Sequence, residues 1–262
     1  MAPAFTLIEL LVVIAIVAVI ISITLPALRG VRGEAERTIC DTRLRTIIQI
    51  ASIYSTSARD VWPNALGPGV DYAIFSMGTE YIVYHTLSQV PLWMGVLQNQ
   101  GIIHLPNRDE EQGMSCPVIW RWTPEEAFIE NPHIGPLASY RYSAGFVSDA
   151  SMWKLDGPSP RIIPREHRKL IREGDVLFPA SKAAFFELSD AHSSGKYLGD
   201  PELPPNARAG VAMADGHVER PPIRNAASPI PTEWPGGLTY AQFERTPYAT
   251  TPDGVRGRDL AR

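Results

Sequence analysis

The chain has 262 residues, of which 45% are hydrophobic and 20% charged, and its formal net charge is -4. This length and balance suit one or two domains with a hydrophobic core and exclude a chain that is disordered throughout. The basic residues are scattered along the sequence, so we expect protein or membrane partners and no nucleic-acid partner.

The first predicted element is an apolar helix. Between Leu7 and Leu28 the residues are apolar except Glu9, Ser22 and Thr24. At about 1.5 Å per residue this segment reaches the ~30 Å needed to cross a bilayer, so we predict one membrane-spanning helix. A secretory signal peptide is the alternative, but no basic region precedes the segment and no A-x-A site follows it.

The helix is predicted to continue to about residue 60. Pro26 removes one backbone hydrogen bond, so we predict a kink there. Beyond it, Ile39, Ile50 and Ile53 form an apolar strip that either contacts neighbouring subunits or joins the domain core. A second set of apolar residues recurs at i, i+4 and i+7 and predicts a face packed on a domain: Cys40, Leu44, Ile47, Ile48, Ala51 and Tyr54.

Short β-branched or aromatic runs between turns predict an antiparallel sheet further along the chain. Trp120 and Trp122 flank Arg121, which allows an exposed binding strip, but their alternation favours packing on one face of a sheet. Thr123 is the predicted N-cap of a helical turn at 123–130. Residues 221–262 lack periodicity and are expected to form a loosely ordered tail. The strand runs are "DYAIFS" at 71–76, "EYIVYHTL" at 80–87, "ASYRYSAGFV" at 138–147, "SKAAFFEL" at 181–188 and "AGVAMADGHVER" at 209–220.

The two cysteines of the chain, Cys40 and Cys116, are too few for a disulfide-stapled scaffold. They are enough for one bridge in an oxidising compartment, and the alternative is a pair of buried thiols. Both interpretations stay open at the level of the sequence.

Two D-x-H pairs are the candidate metal ligands among the remaining polar residues. Asp190 with His192 and Asp215 with His217 would form a mixed carboxylate and imidazole site if they converged. Turn chemistry is favoured instead, because Asp215-Gly216 is a preferred hairpin turn and residues 190–195 are typical of a surface loop. The sequence has no P-loop, G-x-G-x-x-G or G-x-S-x-G motif, so no enzymatic activity is predicted.

Glu9 is the unusual residue of the apolar segment. A charged side chain costs roughly 2.5–3.5 kcal/mol at the centre of a bilayer, so Glu9 should be neutral or have a partner. Cleavage before Phe5 would create an ammonium group about 6 Å along the helix from Glu9. Because both groups lie on one rigid helix, we expect the ammonium of one chain to pair with Glu9 of another, which would set the register of assembly.

The segment "FTLIELLVVIAIVAVI" and the following Pro26 resemble the class III signal of type IV pilins and type II secretion pseudopilins. The resemblance implies that a membrane prepilin peptidase cuts between Ala4 and Phe5 and methylates the new amine, and that Glu9 acts in assembly. The leader "MAPA" departs from the pattern because Ala4 replaces the usual glycine and no basic residue is present.

Later motifs resemble the bacterial pilin-like branch whose C-terminal region is named for a histidine, nine residues and Asp-Gly. These motifs are residues 40–63, "MSCPV", "ASYRYSAG" and "GVAMADGHVE", whereas Pro205 stands in place of the naming histidine. The branch implies an α+β fold in which a long N-terminal helix packs on a small antiparallel sheet. Some pseudopilins hold calcium, so the resemblance makes Asp190, Asp200 and Asp215 candidate calcium ligands; no other cofactor is expected.

The function implied by the resemblance is a structural filament subunit in the inner membrane, single-pass, with its C-terminal domain in the periplasm. Its expected partners are the prepilin peptidase, copies of itself, other pilin-like subunits, an inner-membrane assembly platform and, before assembly, the lipid bilayer. The alternative is a membrane-anchored periplasmic ligand-binding or metal-dependent domain that does not polymerise. The predicted segments are a leader (1–4), a transmembrane and assembly segment (5–28), an amphipathic continuation of the helix (29–62), a β-rich globular domain (63–220) and a Pro/Gly-rich tail (221–262).

Overall fold

The computed structural model of the chain forms two compact units, residues 1–38 and residues 39–262. The first unit is built by the N-terminal part of one long helix, and the second contains the sheets and the hydrophobic core. The five predicted segments have other boundaries and stay predictions. The residues that the structure describes are 6–64, 66, 73–76, 80–83, 93, 97, 101–103, 115–122, 139–154, 165–198, 200–230 and 246–260.

Helix α1 comprises Leu7–Ser57 and is assigned without a break through Pro26, so the kink expected there stays a prediction. The chain leaves α1 through Arg59 and Asp60, whose φ angles of 59° and 64° lie in the left-handed region. The N–H of Asp60 donates to the carbonyl of Ser55 at 2.8 Å. The N–H of Ala58 donates to the same carbonyl at 3.1 Å, so both bonds satisfy an acceptor at the end of the helix.

The part of α1 that belongs to the second unit buries the face predicted from its periodicity. All six predicted residues, from Cys40 to Tyr54, lie in the main hydrophobic core, which confirms this prediction. The second apolar strip of the helix is buried only in part. Ile50 packs partly against the core, whereas Ile39 is 43% and Ile53 64% exposed. One core therefore does not bury both strips, and a subunit contact at Ile39 and Ile53 stays a prediction.

The strands within the described residues form two antiparallel sheets, which confirms the predicted α+β class. Strands β1 (Ala73–Ser76) and β2 (Glu80–Val83) pair with each other. The second sheet has the order β3-β4-β5-β6, so each strand pairs with the next along the chain. Its strands are β3 (Tyr140–Tyr142), β4 (Ala183–Glu187), β5 (Val211–Met213) and β6 (Val218–Glu219).

Helix α2 (Pro117–Trp122) corrects one prediction. Trp120 and Trp122 lie in this helix, so their interpretation as one face of a sheet is wrong. Pro117 suits the first position of a helix, where its missing N–H costs no intrahelical hydrogen bond, and this local effect outweighs the two-residue alternation. The helical turn predicted at 123–130, with Thr123 as its cap, lies outside the described residues.

The turn between β5 and β6 contains Asp215 and Gly216, as the sequence predicts. Gly216 has a φ of 94°, which strongly favours glycine, and its N–H donates to the carbonyl of Met213 at 2.9 Å. The Asp215 carboxylate accepts the N–H of His217 at 3.2 Å. The D-x-H pair at 215–217 therefore serves a hairpin.

The four-stranded sheet is covered on both faces, because every residue of β4 is buried. Phe185 points into the core shared with α1, and the next residue, Phe186, belongs to a second apolar cluster with Tyr248 and Leu260. The expected loosely ordered tail is thus wrong for the described residues 221–230 and 246–260. Their apolar side chains cover a sheet face that would otherwise meet water, and this burial does not require a periodic sequence.

A matched pair of substitutions on α1 tests this packing. Ile47→Ala is expected to lower the free energy of unfolding by about 2–5 kcal/mol, because it leaves a cavity in the core at a fully buried position. Ile53→Ala, at a position that is 64% exposed, should change stability by less than about 1 kcal/mol. Thermal and urea unfolding of the detergent-solubilised chain, followed by circular dichroism, measures both, and equal losses would contradict the assigned face.

Candidate functional site

Glu9 lies in the first turn of α1 and forms a reciprocal pair of hydrogen bonds with Thr6. The N–H and the hydroxyl of Thr6 both donate to Oε2 of Glu9, at 2.9 and 2.7 Å. In return, the N–H of Glu9 donates to the Thr6 hydroxyl oxygen at 3.3 Å. This arrangement is a capping box, which satisfies N–H groups that have no partner within the helix.

The capping box gives Glu9 a hydrogen-bond partner in its own chain. The spacing Thr-x-x-Glu before an apolar run is the sequence signature of this cap, and it was readable from the sequence but missed there. Both hydrogen bonds to the carboxylate use Oε2, and a threonine carries no charge, so the cap leaves the negative charge of Glu9 unbalanced. The predicted processing residues, Ala4 and Phe5, lie outside the described part of the chain.

The surface of α1 that follows Glu9 is apolar and exposed. Among the described residues, α1 is the one helix long and apolar enough to cross a membrane, and its most apolar 18-residue stretch has no buried residue. The large side chains Ile14, Ile20 and Ile23 are each more than half exposed. Apolar surface on this scale needs a cover, which a bilayer or other apolar helices can supply.

A second candidate site lies in the domain core around the two cysteines. Cys40 and Cys116 are fully buried free thiols, with their Sγ atoms 2.9 Å apart. Hydrogen bonds to backbone carbonyls at or beside each cysteine hold the two segments in place. Arg43 donates to the carbonyl of Ser115, and the Tyr140 hydroxyl donates to the carbonyl of Cys40 at 3.3 Å. The structure brings together the predicted pair of sulfur atoms, and the bridge itself stays a prediction.

Glu187 and His192 complete this cluster. Glu187 is the last residue of β4, and His192 lies in the turn that follows, where its side chain is 3% exposed. Nε2 of His192 is 3.8 Å from Sγ of Cys116 and 3.7 Å from Oε1 of Glu187. The four side-chain donor atoms all lie within 4.8 Å of one another, in a set that consists of Cys40, Cys116, Glu187 and His192.

Arg220 holds the Glu187 carboxylate from the other side. Its two terminal nitrogens donate to Oε2 and Oε1 of Glu187 at 2.8 and 3.0 Å, and the N–H of Gly210 donates to Oε2 at 2.8 Å. Nε of Arg220 also donates to Asp41 on α1 at 2.8 Å. The bidentate contact fixes the plane of the carboxylate and keeps a buried charge paired.

The pKa values follow from these contacts. Burial opposes the charge of Glu187, but its contacts with His192, Arg220 and Gly210 lower its pKa to about 2. Burial likewise opposes the charged imidazole, whereas Cys116 and Glu187 raise the pKa of His192 to about 9. The hydrogen bond between the two sulfurs lowers the pKa of Cys116 and raises that of Cys40. The thiolate form is thus favoured at Cys116 over Cys40.

The three aspartates predicted as calcium ligands are not members of this set. Asp190 accepts the hydroxyl of Ser194 at 3.2 Å, and Asp200 accepts the N–H of Glu202 at 2.7 Å. Asp215 caps the hairpin described above, so each aspartate serves a turn near its own position, and calcium binding stays a prediction. Residues 190–195 form a loop that is buried only at its start, because Asp190 and Ala191 are buried whereas Ser193 and Ser194 are exposed.

The sequence analysis did not predict that Glu187 and His192 lie together in one cluster. His192 was considered only with Asp190, and Glu187 was counted as part of a strand. The available indication was a charged residue directly after the apolar run "AAFF" at 183–186, where a buried carboxylate requires a partner. Its partners, Arg220 and His192, come from other segments of the chain, so the sequence did not identify them.

Comparison with known proteins identifies the N-terminal segment. Residues 3–25 match the family model described as the prokaryotic N-terminal methylation motif. No curated protein and no solved structure matches the chain. Membership of the H-X9-DG branch stays a prediction. The matched residues include Glu9, its partner Thr6 and the exposed apolar turns of α1, so the chain carries an N-terminal methylation motif consistent with a type IV pilin-like prepilin segment.

Proposed function

We propose that the chain is a structural subunit of a type IV pilus-like or type II secretion pseudopilus filament. A prepilin peptidase would cut it between Ala4 and Phe5, and the mature chain would assemble through α1. The observation that carries this proposal is the coincidence of the methylation motif at residues 3–25 with an exposed apolar helix that begins beside an acidic residue.

In the proposed mechanism of assembly, the apolar part of α1 leaves the lipid and packs against other subunits. Before assembly the first turns of α1 contact lipid, and in the filament they contact the same turns of neighbouring subunits. Because lipid and apolar side chains are similar solvents, packing and polar contacts decide the direction of the exchange. Glu9 supplies such a contact, since its charge pairs with the new terminal ammonium of another subunit when the two helices have the correct stagger.

The proposed location is the inner membrane, with a single pass and the C-terminal domain in the periplasm. The second compact unit, residues 39–262, supports this arrangement because it has its own hydrophobic core. The partners are the prepilin peptidase, further copies of the chain, other pilin-like subunits and an inner-membrane assembly platform. In this role the chain is structural and catalyses no reaction.

A second candidate is a membrane-anchored periplasmic domain that binds a ligand or a metal and does not polymerise. The cluster around Cys40 and Cys116 is the observation that favours it. Both cysteines are fully buried, however, so the cluster suits an ion that stabilises the fold better than a substrate that exchanges with solvent. Such an ion is compatible with a filament subunit as well.

The mature N-terminus tests the proposed processing. Chain extracted from the membrane of cells that express the peptidase is expected to lack residues 1–4 and to begin with N-methylated Phe5, as measured by intact-mass and N-terminal peptide mass spectrometry. The matched control is Ala4→Trp, whose large side chain should block cleavage and leave residue 1 in place. An uncut wild-type chain in such cells would contradict the proposal.

A further inference from the structure

We propose that the buried cluster of the second compact unit binds one zinc-like divalent ion through four side chains: Cys40, Cys116, Glu187 and His192. This site goes beyond the proposed filament function and does not depend on it. The ion would stabilise the domain and would take no part in a reaction.

The chemistry of the donor atoms selects the class of ion. Two thiolates, one imidazole and one carboxylate are the ligands that Zn²⁺ uses in proteins, whereas calcium and magnesium prefer oxygen ligands only. All four side chains are 3% exposed or less, so the site has no face open to solvent. A closed set of four ligands is typical of structural zinc, since catalytic zinc keeps one position for water or substrate.

Two of the donor-to-donor distances match those of a tetrahedral site, and all four donor atoms lie within 4.8 Å of one another. Metal-ligand bonds of about 2.0–2.3 Å imply ligand-to-ligand distances of about 3.3–3.8 Å. The distances from Nε2 of His192 to Cys116 Sγ and Glu187 Oε1, 3.8 and 3.7 Å, fall at the upper end of this range. The two sulfurs, 2.9 Å apart, would have to separate by about 0.9 Å, which repulsion between two thiolates favours.

The charges surrounding the cluster balance those of a bound dication. Two thiolates offset the ion, while Arg220 offsets Glu187 through bonds of 2.8 and 3.0 Å, and His192 binds as a neutral imidazole. Arg220 also orients the carboxylate, which is the usual role of a hydrogen-bonding group behind a metal ligand. The ion, its ligands and Arg220 together are therefore close to neutral when the metal is bound, and Asp41, which also contacts Arg220, is partly exposed to solvent.

The ligands come from segments that are distant in sequence. Cys40 lies on α1, Cys116 directly precedes α2, and Glu187 and His192 lie at the end of β4 and in the turn after it. One ion would therefore close long loops and tie the buried part of α1 to the sheet. Because the four donors meet only in the folded domain, the free energy of metal binding adds to the free energy of folding.

A disulfide between Cys40 and Cys116 is the competing state of the same atoms, because it consumes both thiolates. The test therefore uses the full chain, purified in detergent and kept reduced, with ZnCl₂ as the probe. After dialysis, native mass spectrometry is expected to find one zinc ion per chain. Titration with Co²⁺ under the same conditions should produce thiolate-to-cobalt absorption bands and a tetrahedral d–d spectrum.

Three variants make the assignment specific. Cys116→Ser and His192→Ala should each weaken zinc binding by roughly 100-fold or more, since each removes one of four ligands. His217→Ala is the matched control, because His217 contacts Asp215 and Glu219 on the surface hairpin and would be the source of adventitious binding. This control should keep the one zinc ion and the cobalt bands.

Either of two results would overturn the proposal. The first is a reduced wild-type chain that binds neither zinc nor cobalt. Cys40 and Cys116 would then form a disulfide or remain as buried free thiols. The second is zinc binding that persists in folded His192→Ala and disappears in His217→Ala. Should Cys116→Ser fail to fold, the cobalt spectrum of the wild-type chain reports thiolate ligation without it.

Discussion

Replacing Glu9 with valine is expected to abolish filament assembly while the chain still folds and enters the membrane. The change removes the charge that would pair with the terminal ammonium of a neighbouring subunit, and leaving one member of a buried ion pair alone costs about 3–5 kcal/mol. That cost corresponds to a loss of assembly by at least about 100-fold. Filaments sheared from cells and collected by sedimentation measure assembly, and carbonate extraction measures membrane insertion.

Two further substitutions separate the charge of Glu9 from its role as a helix cap. Glu9→Gln keeps a side chain that can complete the capping box with Thr6 but lacks the charge. Thr6→Ala keeps the charge and removes the cap, at a cost of about 0.5–2 kcal/mol in helix stability. If the charge sets the register, Glu9→Gln should fail to assemble and Thr6→Ala should assemble; the reverse order would show that the cap is what matters.

Asp259→Ala is expected to be strongly destabilising. Asp259 is fully buried and accepts hydrogen bonds from Lys182, Thr251 and the N–H of Ala183. Burial lowers the pKa of Lys182 and raises that of Asp259, against the attraction between the two groups. Removing the carboxylate leaves a buried ammonium without its counter-ion, so the free energy of unfolding should fall by about 3–5 kcal/mol.

The surface of the same domain supplies the matched control for Asp259→Ala. Lys196 and Glu202 form an ion pair of 2.7 Å in which the Glu202 side chain is 81% exposed. Glu202→Ala should therefore change stability by no more than about 1 kcal/mol. The double variant Lys182→Met with Asp259→Leu should recover part of the loss, because apolar residues of similar size need no counter-ion, whereas the N–H of Ala183 and the Thr251 hydroxyl still lose their acceptor. Urea unfolding compares all three, and equal losses for Asp259→Ala and Glu202→Ala would contradict the assigned role.

The Asp259 contacts also explain why the C-terminal segment was misjudged. The described residues 246–260 contain prolines, glycines and threonines without a period, which is typical of loops. Their order comes from partners far away in sequence, such as the carbonyl of Ser181, which accepts the N–H of Asp259 at 2.7 Å. A prediction from patterns depends on periodic residues within one segment. This segment is stabilised instead by individual long-range contacts that have no period.

Sequence patterns were sufficient to predict the elements that depend on residues close together in the chain. The spacing from Cys40 to Tyr54 determined the buried face of α1, the aromatic runs located the strands, and the composition of residues 7–28 determined an exposed apolar helix. The N-terminal methylation motif is likewise a contiguous stretch, so reading the sequence was enough to identify it. Thr6 and Glu9 belong to this class too, since a capping box joins residues only three apart.

Only the tertiary structure decided which distant side chains meet. Sheet pairing places Glu187 beside Gly210 and Arg220, and the packing of α1 on that sheet adds Cys40 to Cys116 and His192. Their separation along the chain carries no information about distance in space, because the register of the strands and the depth of helix packing are set by the core as a whole. Sequence alone therefore determined the helix by which this protein is proposed to assemble, and folding alone brought together the four buried ligands.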